Sequence, residues 1–300
     1  MNNILFFGAT GRLGKNWVKY LVKNYKVYAN VRKNKKLSLN KNLIQINFDL
    51  NKKKQILTFC NRNKISIIIN CIGLADVELC QYKPKQSLKV NYFIPSELCK
   101  IARKLNILFV HISTDMLFDG KSKRKYTEYS KYKPINIYSA TKVKAEKYIL
   151  KYNKSLIIRA NFFGFSEKNN PTISDKLISQ QTLNKKTYLW NDVYFTPIYI
   201  PNLIFFINLL IKFNSTGIYN VSSDECISKY KFGLKVIKGI VKKNQIFPNN
   251  LNKRKFVNRP KNMCLCNKKI VKKFQKYKYK LKLRYQMQLF LKDFKLIKYG

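Results

Sequence analysis

Apolar residues in the first half of the chain come in short runs separated by amphipathic stretches. Ile4–Phe7, Lys26–Val31, Leu43–Phe48, Ile65–Cys71, Ile107–Ile112 and Leu156–Ala160 have the length of strands. Ile65–Cys71 is apolar almost throughout, as a strand covered on both faces must be. Between these runs lie helical patterns at Lys15–Lys23, Lys52–Asn61, Ser87–Leu105 and Asn136–Tyr152; the first puts Trp17, Val18, Leu21 and Val22 on one face. Strand and helix alternate, which predicts an α/β fold with a doubly wound parallel sheet. After about residue 165 the pattern loosens. Thr172–Asn184, Ile200–Lys212 and Ser228–Lys243 are expected helices, Ile218–Ser222 an expected strand, and 121–134 and 244–262 expected loops.

The first strand ends in Gly8-Ala9-Thr10-Gly11-Arg12-Leu13-Gly14, just before a helix. One glycine allows a tight turn, one lets backbone approach a pyrophosphate, and one lets helix pack close to strand. The helix N-terminus then offers N–H groups and partial positive charge to phosphate. This is the pattern of a Rossmann-type dinucleotide site, and it divides the chain into a dinucleotide-binding domain, 1–165, and a smaller, mainly substrate-binding region, 166–300, interleaved with the sheet. The second strand ends in Val27-Tyr28-Ala29-Asn30-Val31-Arg32, without the acid that would hold a ribose 2′-hydroxyl. Arg12 and Arg32 are placed to meet a 2′-phosphate, so NADPH is expected ahead of NADH.

Tyr138 and Lys142 stand four residues apart in a helical stretch, on one face. An ammonium beside a phenol favours the phenolate and lowers the phenol pKa. Such a phenol can exchange a proton with a carbonyl oxygen near neutral pH. With twenty tyrosines in the chain, the pair gains its weight from position: it follows Ser113-Thr114-Asp115 at the end of the fifth strand by one loop.

Charge and cysteine content change this picture little. Sixty-one Lys and Arg against fourteen acids give +47. Nucleic acid or an anionic surface would suit such a charge. The lysines are scattered, however, and Lys, Asn, Ile, Tyr and Phe are all favoured by AT-rich codons. A polyanion-binding protein would instead gather aromatic and basic residues along one groove. The segment from Cys226 onward, whose only acid is Asp293, could hold anionic surfaces weakly. Half of the acids (Asp76, Glu78, Glu97, Asp115, Asp119, Glu128 and Glu146) fall within residues 76–146. The seven cysteines include no Cys-x-x-Cys pair and are expected to be reduced thiols. No metal site is expected. The single histidine, His111, is expected in the core or beside the cofactor. The longest apolar run, near Leu203–Ile211, falls short of the roughly 20 residues a membrane span needs. The chain opens directly in a strand, so no leader and a cytoplasmic location are expected.

The G-x-x-G-x-x-G spacing, with Asp49-Leu50 after the third strand and Asn70-Cys71-Ile72-Gly73 after the fourth, resembles the extended short-chain dehydrogenase/reductases. Ser113-Thr114-Asp115-x-x-Phe118-Asp119-Gly120, then Tyr138-x-x-x-Lys142 with Ala145-Glu146, resembles the dTDP-4-dehydrorhamnose reductase family in particular. Asp76-Val77-Glu78, Val90-Asn91, Ile158-Arg159, Phe195-Thr196-Pro197, Gly217–Ser222 and Arg259-Pro260-Lys261-Asn262 extend the likeness over nearly the whole length.

The resemblance implies a catalytic set of Thr114, Tyr138 and Lys142. It implies cofactor contacts from Gly8, Thr10, Gly11, Arg12, Leu13, Gly14, Arg32, Asp49, Leu50, Cys71, Ile72, Gly73, Tyr138 and Lys142. Ser113, Asp115, Phe118 and Asn161 would border the substrate. The implied reaction is NAD(P)H-dependent reduction at C4 of a nucleotide-linked 4-keto-6-deoxy sugar, for surface polysaccharide. Met116, Leu117 and Asn161 depart from the family pattern near the sugar, so reduction is implied rather than a particular product. A non-catalytic, cofactor-binding regulatory subunit of the methionine adenosyltransferase β type is the alternative on the same fold. A homodimer is among the assemblies left open.

Overall fold

The structure, a computed structural model, describes residues 2–32, 35–38, 40–165, 171–241, 245–251 and 256–299. Two compact units divide the chain. The first comprises Met1–Ser113, Asn136–Ile158 and Asn208–Ile218; the second comprises Thr114–Ile135, Arg159–Ile207 and Tyr219–Gly300.

The first unit is built on strands β1 (Asn3–Phe7), β2 (Lys26–Asn30), β3 (Leu43–Ile46), β4 (Ile65–Asn70), β5 (Leu108–Ile112) and β6 (Ser155–Arg159). The seven-stranded sheet runs from the Gly217–Asn220 strand through β6, β5, β4, β1 and β2 to β3. Every pairing from β3 to β6 is parallel. The chain builds outward from β1 in one direction and from β4 in the other, the doubly wound order expected from the sequence. The strand order reverses between β1 and β4, and in such sheets ligands bind at the carboxyl ends of the strands at such a reversal. Ile4–Phe7 and Ile68–Ile69 are fully buried, which explains why these strands are continuously apolar.

Helices α1 (Arg12–Leu21), α2 (Lys53–Arg62), α3 (Val77–Tyr82), α4 (Pro84–Leu88), α5 (Ile94–Lys104) and α6 (Ile137–Ile149) belong to the same unit. α1 buries Leu13, Gly14, Trp17, Val18 and Leu21, and Trp17 meets Phe6 edge-on at 5.4 Å. The single helix expected over Ser87–Leu105 is instead α4 and α5 joined by a π-helical turn, Lys89–Phe93. Within that turn Asn91 is fully buried, and its side chain accepts from Leu74 N–H at 2.8 Å and donates to Leu74 C=O at 3.1 Å. An extra residue in a helix is costly to keep and is found where a side chain must be aimed. Here it aims an amide at the chain leaving β4.

The second unit has its own core, in which Phe163, Phe195, Phe232 and Phe290 gather with Leu177, Val236 and Met287. Thr172 caps Ile173–Thr182 through a reciprocal capping box with Asp175. The expected loop 244–262 contains a strand, Ile246–Asn249, which pairs in parallel with Thr187–Trp190. Its Pro248 and exposed Phe247 hid it from a periodicity argument. The helix expected over Ser228–Lys243 ends at Ile237; residues 242–244 lie outside the described residues. The helix Leu283–Tyr299 is tied down by its one acid, since Tyr199 donates its hydroxyl to Asp293 at 2.6 Å. Cys226 and Cys264 are joined as a disulfide, which corrects the expectation of reduced thiols. They are 38 residues apart in sequence, so spacing alone gave no sign of the pair. Cys60, Cys71, Cys80, Cys99 and Cys266 are free. Among the described residues no helix is long and apolar enough to cross a membrane.

The glycine turn gives a sharp packing test. A Cβ on Gly14 would lie 2.1 Å from Gly8 O, whereas one on Gly217 (φ +81°) would meet nothing within 4 Å. Gly14→Ala is expected to lower unfolding free energy by roughly 3 kcal/mol, the upper end for overpacking. Gly217→Ala should cost about 1 kcal/mol, from backbone conformation alone. Urea denaturation of the two variants checks the contrast, and equal losses would contradict it.

Candidate active site

The parallel register of the sheet puts Phe7 beside Asn70 and Asn70 beside His111 at the carboxyl ends of β1, β4 and β5. Each strand then releases the chain into a segment that carries candidate chemistry. After β1, Gly8 turns the backbone at φ +83°, and a Cβ there would lie 2.7 Å from the carbonyl carbon of Cys71. Gly11 N–H donates to Gly8 O at 3.0 Å and Gly11 forms the N-cap of α1. No side chain caps that helix, and its first turn holds no acid. The first-turn N–H groups and the helix dipole are therefore set for an anion. The glycine turn fits the diphosphate of a dinucleotide. Thr10 and Arg12 are half-buried on this turn, and Leu13 is in the core.

The other expected cofactor residues are placed as follows. Asn30 ends β2 and accepts from Phe48 N–H at 2.7 Å, so an amide occupies the place of an acid. Arg32 is exposed two residues on. Asp49 is exposed and accepts from Asn51 N–H at 2.9 Å, forming a turn ahead of α2, while Leu50 packs against the core of the first unit. Cys71 N–H donates to Phe7 O at 2.9 Å, which ties the chain after β4 to β1; Ile72 packs on the same core and Gly73 is exposed. Burial pushes the Cys71 thiol up, with Lys142 pulling it partly back.

α6 starts where Asn136 accepts from Ser139 N–H at 2.8 Å. Tyr138, Lys142 and Glu146 follow one another at four-residue spacing, and all three are buried. A helix that buries such a stripe must supply partners for it. Lys142 Nζ lies 3.1 Å from His111 Nε2 and donates to Ile112 O at 2.8 Å. Ser113 Oγ donates to Glu146. Thr141 joins Ser87 and Asn91 through its hydroxyl, which donates to Tyr138 O at 2.8 Å. Lys142 is thus drawn to the carboxyl end of β5, and Tyr138 sits one turn before it on the same face. Burial lowers the Lys142 pKa to about 8, against the pull of Glu146 and Cys71 toward the charged form. His111 is held well below the ordinary histidine range, by burial first and then by Lys142.

The second unit holds Thr114, Asp115, Phe118 and Asn161. Thr114 Oγ1 accepts from Met116 N–H at 3.2 Å. Asp115 is 1% exposed and accepts from Asn161 Nδ2 at 2.8 Å. Burial raises the Asp115 pKa, with Lys229 opposing. Phe118 stacks on Tyr126 at 4.0 Å, and the fully buried Arg159 guanidinium lies 5.6 Å from the centre of the Phe118 ring. Lys229 was not foreseen. Its ammonium lies 3.3 Å from the centre of the Phe195 ring, and burial lowers its pKa to about 8, against the pull of Asp115. In a chain this rich in lysine, no sequence signal separated it from its neighbours.

The buried lysine on α6 carries a pH signature. An unfolded lysine titrates near 10.5 and Lys142 near 8, so folding penalises its charged form. The penalty is complete below pH 8 and is relieved as pH rises toward 10.5. Lys142→Met should therefore gain stability relative to wild type at pH 7. That relative gain should shrink by roughly 3 kcal/mol between pH 7 and pH 10.5. Urea denaturation of both proteins across this range measures it; a pH-independent difference would refute the burial of the amine.

Comparison with known proteins agrees with this architecture. The family described as the RmlD substrate binding domain matches residues 1–295. The chain is 25% identical over 248 residues to a dTDP-4-dehydrorhamnose reductase of Aggregatibacter actinomycetemcomitans, covering 79% of this chain and 78% of that one. A dTDP-4-dehydrorhamnose reductase structure from Clostridium acetobutylicum superposes with a TM-score of 0.81 at 21% identity, covering 98% and 99% of the two chains. A dTDP-4-dehydrorhamnose reductase from Bacillus anthracis, solved in complex with NADP, gives a TM-score of 0.77 at 24% identity over 89% and 91%. The structural likenesses bear on the fold alone; the family match spans nearly the whole sequence, and the chain belongs to the RmlD substrate-binding-domain family.

Proposed function

We propose that the protein is a reductase that uses NADPH, or NADH, to convert the C4 keto group of a nucleotide-linked 4-keto-6-deoxy sugar to an alcohol. The observation that carries this reading is the Tyr138–Lys142–Glu146 stripe of α6, whose lysine reaches the carboxyl end of β5, in the same sheet as the glycine turn of β1. Family membership and the reductase activity named for its relatives support it. The amide of Asn30 at the end of β2, with Arg32 following, supports NADPH over NADH, as does the NADP complex of the Bacillus anthracis relative.

The glycine turn, Gly8 to Gly14, would hold the diphosphate of a dinucleotide through backbone N–H groups, and a dinucleotide bound there would supply a hydride. Tyr138 donates its phenolic proton to the C4 oxygen as that oxygen becomes an alkoxide, and regains a proton from solvent. Lys142, when charged, favours the phenolate left on Tyr138. Thr114 donates a hydrogen bond to the carbonyl oxygen, and Asp115 with Asn161 offers acceptor and donor groups to sugar hydroxyls. Ser113 orients Glu146. The product sugar would feed a surface polysaccharide.

Purified protein is expected to oxidise NADPH in the presence of a dTDP-4-keto-6-deoxyhexose. Tyr138→Phe should lower kcat by about 10²–10⁴-fold, the usual contribution of a general acid, with dinucleotide affinity retained. Turnover that survives in Tyr138→Phe would refute the assigned acid. Dinucleotide binding with no turnover on any nucleotide keto sugar, and a stoichiometric enzyme partner on pull-down, would favour the regulatory-subunit reading.

A further inference from the structure

His111 is the only histidine in the chain and is fully buried on β5. Its two ring nitrogens face different partners, and the directions of the surrounding hydrogen bonds determine what each nitrogen carries. Asn70 Oδ1 accepts from Ile72 N–H at 3.1 Å. That contact orients the amide, so the Asn70 NH₂ faces His111 Nδ1 at 3.0 Å. An amide NH₂ only donates, so Nδ1 offers its lone pair and the neutral ring carries its hydrogen on Nε2. Nε2 lies 3.1 Å from Lys142 Nζ. An Nε2–H group and an ammonium are both donors and cannot bond to each other. The contact closes when Lys142 is a neutral amine, with its lone pair on the ring N–H and its own N–H on Ile112 O at 2.8 Å. Donation then runs without conflict from Ile72 to Asn70, His111, Lys142 and Ile112.

The alternatives break this chain. With Lys142 charged, the ring would have to carry its hydrogen on Nδ1. Asn70 would then have to turn its oxygen to the ring and its NH₂ to Ile72 N–H, setting donor against donor. A doubly protonated ring would present Nδ1–H to the Asn70 NH₂. The groups around the amine agree with a neutral lysine on the alkaline side of neutrality. From α6, Glu146 favours the charged form, but it is engaged by Ser113, and Tyr138 stands one turn away. From the end of β4, the Cys71 thiol is kept protonated by burial. From β5, His111 is kept from ionising by burial and by Lys142 itself. Burial brings Lys142 down to about 8, within reach of physiological conditions.

We propose that His111 is a positioning residue for Lys142: it holds the side chain as a neutral amine in the dinucleotide-free site and lets it go on protonation, so that dinucleotide binding takes up a proton at Nζ. The proton comes from solvent, and the only interaction lost is the hydrogen bond from His111 Nε2–H to Nζ. The released ammonium keeps one N–H on Ile112 O and has the other two for acceptor oxygens, which a dinucleotide ribose and diphosphate provide. The coupling to dinucleotide rests on the proposed function; the state of the histidine–lysine pair does not.

Because His111 is the sole histidine, protein labelled with ¹⁵N-histidine gives one imidazole signal set. At about pH 9 it should show the neutral tautomer protonated on Nε2. As pH falls, both ring nitrogens should shift together with a midpoint near 8. Lys142→Met should keep the tautomer and lose the step. Calorimetry of NADPH binding at about pH 8.5, in buffers of different ionisation enthalpy, should show uptake of about three quarters of a proton in wild type and none in Lys142→Met. An Nδ1–H tautomer at pH 9, or no step near 8, would overturn the holding role, as would a step that persists in Lys142→Met. NADPH binding without proton uptake would overturn the coupling. If no dinucleotide binds, the coupling and the dinucleotide assignment fall together, while the imidazole spectrum still decides whether His111 holds the neutral amine.

Discussion

Buried polar groups must find partners, and this requirement organises the carboxyl edge of the sheet. Asn70, His111, Ser113, Lys142 and Glu146 are each at most 6% exposed, and they come from β4, β5 with the residue after it, and α6, which are far apart in sequence and meet in the fold. An unpaired group at any of these positions would cost several times what a single hydrogen bond contributes. The register of β4 on β5 pairs Asn70 with His111, and the four-residue step of α6 pairs Lys142 and Glu146 with what β5 presents. The turn after β1 depends on the same arrangement, since Cys71 N–H bonds Phe7 O and Gly8 packs directly on Cys71. Chemistry and fold therefore draw on one network. The buried stripe of α6 is unfavourable for an ordinary amphipathic helix, and its position against the sheet edge is what accommodates it.

The scarcity of acids has a related consequence. The acids in the 76–146 segment make structural contacts. Asp76 caps α3, accepting from Leu79 N–H at 2.9 Å. Glu97 meets Lys53 and Lys100, each at 2.7 Å. Asp119 accepts from Lys121 N–H, and Glu128 accepts from Asn220 N–H at 3.0 Å. Asp115 and Glu146 are buried against Asn161 and Ser113. Exposed ion pairs such as those of Glu97 contribute little; the buried contacts fix backbone and side chains in place. In a chain of charge +47, the clustering of acids marks where the architecture needs acceptors, whereas most lysines are free to face solvent.

Most of the first unit was legible from hydrophobic patterning, because strands buried on both faces leave uninterrupted apolar runs that few other structures produce. The helix broken at Lys89–Phe93 was not, since a π-helical turn keeps the same apolar face on either side and depends on Asn91 reaching Leu74. The strand Ile246–Asn249 was missed because it pairs at the surface, where alternation is weak. Among the candidate site residues, the glycine turn and the Tyr138/Lys142 spacing were readable because each needs particular residue types at fixed intervals. Lys229 and the Cys226–Cys264 disulfide were not, because nothing local distinguishes them from other lysines and cysteines.

The sequence by itself determined the doubly wound sheet, the turn suited to a diphosphate and the helix face bearing Tyr138 and Lys142. All three follow from short-range periodicity and from the steric needs of glycine. The tertiary structure alone decided which partner each polar group has, and therefore its charge. That Lys142 bonds His111 and Ile112, that Asn70 orients the imidazole, and that burial brings a lysine down to about 8 all depend on residues tens of positions apart meeting at one sheet edge. Hydrogen-bond direction and desolvation are properties of that meeting, and no single stretch of sequence contains them.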